Sequence, residues 1–159
     1  MLEKIISGGQ TGADVSGLRA AKKCGITTGG TAPKFYLTED GPNPLLGSLY
    51  GLVEHTSMKY PPRTFANAKE GDGTIRFAVN FETAGEKLTL KAVKQFGRPH
   101  IDVDVADPIR HQKVADWIIS NNIKVLNVAG NKESTFLGIG DFVEEYLCKV
   151  IEILKSCHK

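Results

Sequence analysis

The residues with the clearest chemical potential form a glycine-rich turn near the start of the chain. The turn reads Ser7-Gly8-Gly9-Gln10-Thr11-Gly12 and follows the short apolar stretch Ile5-Ile6. Glycines let the backbone adopt positive φ and approach a ligand without an intervening Cβ. Helical spacing begins at about Asp14, so free N–H groups and the positive end of a helix dipole point at the turn. The turn is therefore predicted to hold an anionic group, with side-chain donors from Ser7, Gln10 and Thr11.

The spacing of these glycines differs from two common phosphate-binding motifs. The dinucleotide fingerprint requires G-x-G-x-x-G, whereas this turn has G-G-x-x-G, and no G-K-[ST] follows as in a P-loop. A tight strand-to-helix turn without a ligand is the alternative interpretation. Asp14 also has two interpretations, since it can stabilise the helix dipole or contact a ligand hydroxyl or a metal-bound water.

Further candidate residues follow later strands and occupy the irregular part of the chain. Thr83-Ala84-Gly85 precedes a helix and is a second possible anion cradle, with a plain helix start as the alternative. The loop after the last strand supplies Gly130, Asn131, Glu133 and Ser134. The irregular region adds a turn glycine, two cations and polar side chains, which could equally be solvated surface residues: Gly30, Lys34, Arg63, Thr64 and Asn67.

Other catalytic and metal-binding patterns are absent from the sequence. The histidines lack metal-ligand spacing, and no G-x-S-x-G, Cys–His pairing or paired carboxylates stand out. The odd number of cysteines, three without C-x-x-C spacing, argues against a disulfide framework or a zinc site. The sequence therefore indicates ligand binding more strongly than catalysis.

Strands alternate with helices along the regular parts of the chain. Predicted strands lie at Ile5-Ile6, Ile26-Thr27-Thr28, Thr74 to Val79, His100 to Val103 and Val125 to Val128. Between them, one helix is expected from about Glu86 to Phe96 and another from the N-cap and N1 pair Asp107-Pro108. This alternation predicts a Rossmann-like, doubly wound α/β fold with a mostly parallel sheet of about five strands and helices on both faces. Ligands of such folds bind at the carboxyl ends of the strands.

Residues 31–74 interrupt this alternation and contain five of the seven prolines. So long a stretch without clear elements is typical of a binding segment or a mobile one. A short helix from Thr64 to Glu70 is the one regular element expected there.

Bulk properties narrow the class of protein. A length of 159 residues predicts one domain over 1–159, and 41% apolar with 24% charged residues is typical of a globular protein. The net charge of +2 comes without a basic block, so nucleic-acid binding is not expected. No apolar run reaches a membrane-spanning length and no signal-peptide pattern is present, so we expect a cytoplasmic protein. The broad apolar face of the last helix hints at self-association.

Several segments, taken together, match the pattern of a known family. They are Ile5 to Asp14, Gly25-Ile26, Gly29-Gly30, Pro33-Lys34, Glu39 to Pro42, Arg63-Thr64, Asn67, Asp72 to Thr74, the Gly85 loop, Asp107-Pro108, Val125 to Gly130 and Glu133-Ser134. These segments resemble the molybdenum carrier family, which is related to molybdenum cofactor carriers and to lysine-decarboxylase-like, nucleotide-sensing Rossmann domains. The resemblance covers nearly the whole chain.

The resemblance implies a Rossmann-like domain that forms a homo-oligomer, a dimer or tetramer. It implies non-catalytic binding of molybdenum cofactor, a phosphorylated pterin, or of molybdate, with the anion at the Gly8-Gly9 turn. The alternative is a nucleotide or nucleotide-derivative enzyme or sensor. Related phosphoribohydrolases carry P-G-G-x-G-T-x-x-E, and the region Thr83-Ala84-Gly85-Glu86-Lys87 departs from that signature. This departure argues against phosphoribohydrolase activity.

Overall fold

Nine strands and six α-helices build the computed structural model, which describes residues 1–157. The strands are β1 (Lys4–Ile6), β2 (Thr27–Gly29), β3 (Thr31–Ala32), β4 (Leu37–Thr38), β5 (Gly41–Pro42), β6 (Val53–Glu54), β7 (Gly73–Ala78), β8 (His100–Asp104) and β9 (Val125–Gly130). The helices are α1 (Ala13–Lys23), α2 (Leu45–Tyr50), α3 (Tyr60–Glu70), α4 (Ala84–Gln95), α5 (His111–Ser120) and α6 (Ile139–Ser156). A short 3₁₀ turn covers Lys34–Tyr36.

The central sheet has five strands in the order β2-β1-β9-β7-β8, and every pairing in it is parallel. All six residues of β7 are buried, as expected for a strand covered on both faces. Helices α1, α5 and α6 pack together on one face, and α3 packs with α4 on the other. The predicted doubly wound α/β fold with helices on both faces is confirmed.

The strand order matches a common doubly wound arrangement when the strands are numbered from β7. With β7 as the first strand and β2 as the last, the order is 2-1-3-4-5, a common doubly wound arrangement. The crevice of such a sheet lies between the first and third strands, because the helices that follow them go to opposite faces. Here these strands are β7 and β9, followed by α4 and α6.

Residues 31–74 contain more regular structure than their composition indicates. Strand β3 pairs with β6, β4 pairs with β5, and α2 and α3 fill the rest. Leu46 and Leu52 from this segment pack with Leu18 of α1 and Ala32 in a second apolar cluster. The expected short helix begins at Tyr60, four residues early, because Pro61 and Pro62 occupy the first turn, where prolines are tolerated.

Two further expectations about the helices are wrong. Helix α5 begins at His111 with Arg110 at the N-cap, so Asp107 and Pro108 lie in the preceding turn. In that turn the N–H of Asp107 donates to the carbonyl of Asp104. The apolar face of α6 is buried by α1, α5 and the sheet, so it is no surface for self-association. Exposed apolar side chains lie elsewhere, at Leu45, Leu49, Val53, Phe136 and Leu137 among others.

No helix within residues 1–157 is long and apolar enough to cross a membrane.

Candidate functional site

A cavity of about 350 Å³ opens at the carboxyl edge of the sheet, beside the β7–β9 crevice. The start of α4 forms one wall, the loop from β9 to α6 another, and the first turns of α1 and α3 complete it. The lining residues are Gln10, Asp14, Tyr60, Arg63, Thr64, Thr83, Ala84, Gly85, Glu86, Leu88, Thr89, Ala129, Gly130, Asn131, Lys132 and Thr135. The cavity therefore lies where doubly wound folds bind their ligands.

The structure brings together only part of the predicted site. Eight of the predicted residues line the cavity, namely Gln10, Asp14, Arg63, Thr64, Thr83, Gly85, Gly130 and Asn131. Those outside it are Ser7, Gly8, Gly9, Thr11, Gly12, Gly30, Lys34, Asn67, Glu133 and Ser134. Polar and aromatic lining residues that were not predicted include Tyr60, Glu86 and Lys132.

Two buried carboxylates lie in the floor of the cavity. Asp14 is 3% exposed, and its Oδ2 accepts hydrogen bonds from the N–H of Gln10 (3.3 Å) and from Nη1 of Arg63 (3.3 Å). Glu86 is 4% exposed, and its Oε2 accepts from Nδ2 of Asn131 (3.1 Å) and from the hydroxyl of Thr83 (3.2 Å). One oxygen of each carboxylate is thus fixed by the protein.

Both carboxyl groups hold their protons more tightly than usual. Burial raises the pKa of Asp14, and the charge of Arg63 and the Gln10 N–H offset this only in part. Burial and then repulsion from Asp14 raise the pKa of Glu86, against the hydrogen bonds from Thr83 and Asn131 and the charge of Arg76. Paired acids with raised pKa values in a cleft are typical of functional sites.

The rim of the cavity carries donors and positive charge. Helix α4 begins there with Thr83 as its N-cap, and the Thr83 hydroxyl accepts from the N–H of Glu86 and donates to the Glu86 carboxylate. The N–H groups of Ala84 and Gly85 belong to the first turn, where a helix leaves donors unpaired. Apart from the chain neighbours and the backbone of α4 itself, no atom within residues 1–157 lies within 4 Å of the position a Cβ of Gly85 would take. Lys132 is half exposed. An anion fits this rim better than the acidic floor.

The glycine-rich turn is filled by the protein itself. A Cβ on Gly8 would lie 2.1 Å from Nη1 of Arg63, and a Cβ on Gly9 would lie 2.7 Å from a methyl carbon of Leu46. The hydroxyl of Ser7 donates to the carbonyl of Asp14 and accepts from the N–H of Gly9. The turn therefore packs against Arg63 and α2 and presents the chain's own Asp14 carboxylate to the cavity.

A second set of predicted donors also holds an internal carboxylate. Glu39 accepts from the hydroxyls of Thr11 and Ser134 and from the Ser134 N–H, and Lys132 Nζ lies 3.6 Å from its Oε2. Burial alone would raise the pKa of Glu39, but these hydrogen bonds and the Lys132 charge hold it below its usual value. The cradle at Thr11 and Ser134 thus already contains an anion.

The carboxylate of Glu133 has a similar internal role at the start of α6. Its two oxygens accept from the N–H groups of Gly138 (2.6 Å) and Gly140 (3.0 Å). It therefore caps the helix that follows β9 and places a negative charge at the positive end of the dipole.

The remaining predicted residues outside the cavity have structural contacts. Asn67 of α3 accepts from the N–H of Thr31 (2.8 Å) and donates to its carbonyl (2.9 Å), which fixes β3 to α3. A Cβ on Gly30 would lie 2.3 Å from the carbonyl oxygen of Ser7, so the two segments touch through backbone. Lys34 is exposed and lies over the ring of Phe35.

No group of three or more histidine, cysteine, aspartate or glutamate side chains within residues 1–157 could hold a metal ion.

The sequence contains one signal for Glu86, the most important cavity residue that was not predicted. The pattern Thr83-x-x-Glu86 is the signature of a capping box, which places the glutamate in the first turn of a helix at the carboxyl edge of the sheet. Its pairing with Asp14, 72 positions away in the chain, depends on the adjacency of β7, β9 and β1 in the sheet.

Comparison with known proteins agrees with this fold and its strand order. The sequence profile described as "Circularly permutated YpsA SLOG family" matches residues 5–151. A crystal structure described as a "Putative molybdenum carrier protein" from Syntrophus aciditrophicus SB is 34% identical, covers 94% of each chain and superposes with a TM-score of 0.85. Among curated proteins, no match is found.

The description of the family agrees with the order 2-1-3-4-5 that appears when numbering starts at β7. The expected resemblance to molybdenum carrier proteins is also confirmed. This chain therefore belongs to the circularly permutated YpsA SLOG family.

Proposed function

We propose that this protein is a non-catalytic carrier of a small phosphorylated ligand, molybdenum cofactor in the first place, and that the ligand occupies the β7–β9 cavity. The observation that carries the proposal is the separation of charge by depth. Donors and a cation lie at the rim, with Ala84, Gly85 and Lys132, and the acids lie in the floor. A phosphate at the rim and a heterocycle directed inward match this arrangement.

The rim has the donors that a phosphate requires. Helix α4 has twelve residues, and its first-turn N–H groups and dipole attract an anion. Arg63 adds a cation at the floor, and its Nε is buried without a hydrogen-bond partner among residues 1–157. An unpaired buried donor costs roughly 1–3 kcal/mol, so a ligand acceptor that reached Nε of Arg63 at the floor would be favourable.

The similar structure from Syntrophus aciditrophicus bears the name of a molybdenum carrier. That name supports the cofactor as ligand, and the metal would arrive with the pterin as cargo. Molybdate alone is the simpler alternative ligand, since an oxyanion needs the same rim donors.

The test is retention of the cofactor by protein purified from a host that makes it. Pterin is released and measured as its fluorescent oxidised form, and molybdenum is measured by mass spectrometry. We expect wild type to retain both and Gly85→Asp to lose them at least tenfold, because a carboxylate would repel the phosphate. Lys91→Gln, which removes one positive charge from the exposed part of α4, is the control. Metal without pterin would indicate molybdate, and neither in wild type would refute the proposal.

A second function, that of an enzyme or sensor for nucleotide derivatives, is favoured by the paired acids. Asp14 and Glu86 have raised pKa values and line one cavity, which suits general acid–base chemistry. Incubation with nucleoside monophosphates and ADP-ribose, followed by chromatography for released base, tests it. Turnover that disappears in Glu86→Gln would establish an enzyme, and intact substrates would remove this candidate.

The homo-oligomer implied by the family resemblance stays a prediction. Sedimentation velocity would give the number of subunits.

A further inference from the structure

Two carboxylate oxygens in the floor of the cavity lack a partner from the protein. Oδ1 of Asp14 and Oε1 of Glu86 accept no hydrogen bond from residues 1–157, in contrast to the second oxygen of each group. Within residues 1–157, Nε of Arg63 is the one fully buried side-chain polar atom without a hydrogen-bond partner. The two unpartnered carboxylate oxygens are therefore not fully buried. Because Asp14 and Glu86 both line the cavity, we infer that these oxygens are open to it as acceptors.

Asn131 and Arg76, which lie beside Glu86, are already engaged. The amide of Asn131 is saturated, since it donates to Glu86 and to the Asn80 carbonyl and accepts from the N–H groups of Val79 and Asn80. The Arg76 guanidinium is engaged by Asp102 and by the backbone carbonyl of Glu86. The protein places no donor on either oxygen, and an ionised carboxylate is an acceptor only. In that state the donors would come from what fills the cavity.

The lining around the acids suits a flat ring. Apolar atoms come from Ala84, Leu88 and Ala129, and Tyr60, which is 37% exposed, adds an aromatic ring. Pockets lined in this way bind aromatic ligands, and the few polar groups fix their orientation. The ligand should therefore carry its hydrogen-bond donors on the edge of a planar ring.

We propose that Asp14 and Glu86 select a heterocycle with adjacent N–H and NH₂ donors, the 2-amino-4-oxo edge that pterins and guanine share. This inference rests on the proposed function and specifies its ligand class. One donor goes to each free carboxylate oxygen. Adenine offers an acceptor nitrogen at the corresponding edge, and hypoxanthine lacks the amino group, so both leave a carboxylate unpaired.

A vicinal ribose diol is the other common source of two adjacent donors, and matched probes separate it from the ring edge. GMP and IMP differ only in the 2-amino group, and GMP and 2′-deoxy-GMP differ only in a ribose hydroxyl. The pterin itself is represented by 6-hydroxymethylpterin and by 6-hydroxymethyllumazine, in which a carbonyl replaces the amino group.

Calorimetric titration of the full chain with these probes tests the inference. We expect GMP to bind about tenfold more tightly than IMP, because the difference is a hydrogen bond to a charged group. The pterin should bind more tightly than the lumazine by a similar factor, and 2′-deoxy-GMP should equal GMP. Glu86→Gln should reduce the GMP preference to about twofold or less, because the amide turns a donor towards the ligand.

Two further variants complete the experiment. Asp14→Asn should reduce the same preference, which covers the case that Glu86→Gln fails to fold. Glu82→Gln removes the same charge from an exposed position near the start of α4 and should keep the full preference. Equal binding of GMP and IMP, a preference unchanged in both acid variants, a selective loss with 2′-deoxy-GMP, or no binding of guanine and pterin probes would overturn the inference.

The outcome is separable from that of the proposed function. Protein that retains molybdopterin but does not distinguish the probe pairs would keep the function and lose the inference. Protein that prefers GMP over IMP but retains no molybdopterin would keep the inference and lose the function.

Discussion

Asp14 and Glu86 are the two acidic side chains that are buried within residues 1–157. An ionised carboxylate is costly in such a position unless its oxygens are paired. The protein pairs one oxygen of each acid and leaves the other facing the cavity. Because one oxygen of each acid has no partner from the protein, this arrangement lowers the stability of the free protein. A ligand that donates hydrogen bonds to these oxygens would explain it.

Glu86→Gln should therefore stabilise the free protein at neutral and alkaline pH. The folded-state pKa of Glu86 is raised by burial and by Asp14, against the charge of Arg76, so ionisation costs stability as the pH rises through that pKa. Glutamine cannot ionise, and we expect a gain of about 1 kcal/mol at pH 8. The gain should shrink as the pH falls towards the ordinary glutamate range. Urea denaturation at pH 8 and pH 5 measures it, and a variant less stable than wild type at both values would contradict this account.

At the scale of elements, the turns around the site are held by internal contacts that cannot be predicted from local sequence. The strand, turn and helix from Ile5 to Lys23 were predictable from local spacing, as was the start of α4. The occupants of the turns were not, because Arg63 and Glu39 come from the segment between β2 and β7. The glycines and free N–H groups in the sequence therefore predicted the correct edge of the sheet. Which of these turns can accept a ligand depends on long-range packing.

Gly12→Ala should destabilise the fold, whereas a substitution at the cavity glycine Gly85 should not. Gly12 has φ of 77°, and a Cβ would lie 2.5 Å from the carbonyl oxygen of Asn131, so α1 and the β9–α6 loop would be pushed apart. We expect a loss of roughly 2–3 kcal/mol in unfolding free energy. Gly85→Ala has open space and should be neutral or slightly stabilising. Thermal denaturation compares them, and equal effects of the two substitutions would count against this assignment.

Glu39→Gln should loosen the β4–β5 hairpin from the β9–α6 loop. The pKa of Glu39 is held below its usual value, so its contribution is present near pH 7 and is lost as the pH falls through that lowered pKa. We expect a loss of about 1 kcal/mol at pH 7, since charged hydrogen bonds to Thr11 and Ser134 are weakened. Asp40→Asn, at the exposed neighbouring position, is the control for charge. Chemical denaturation that shows the same loss for both variants would disprove the anchoring role.

At the scale of the whole molecule, the order of the strands in the sheet matters more than their order in the chain. The alternation of strands and helices predicted the doubly wound class correctly, but spacing along one chain does not reveal which strands are neighbours. The adjacency of β9 to both β1 and β7 assembles the cavity from residues near positions 14, 63, 86 and 131. A permuted chain with the same sheet should therefore have the same site.

A circular permutant that begins at Gly71 should fold to the same structure. The break lies between α3 and β7, away from the cavity at the opposite edge of the sheet, and a short Gly/Ser linker would join the old ends. We expect circular dichroism like that of wild type and the same GMP preference over IMP. A permutant that unfolds cooperatively but does not prefer GMP over IMP would mean that the original connection into β7 helps to shape the site.

A crystal structure of the protein purified from a host that makes molybdenum cofactor would test directly whether the β7–β9 cavity is the binding site. We expect a phosphate within hydrogen-bond distance of the N–H of Ala84 or Gly85, with the ring edge against Asp14 and Glu86. A ligand bound outside this cavity, for example in place of the Glu39 carboxylate at Thr11 and Ser134, would contradict it.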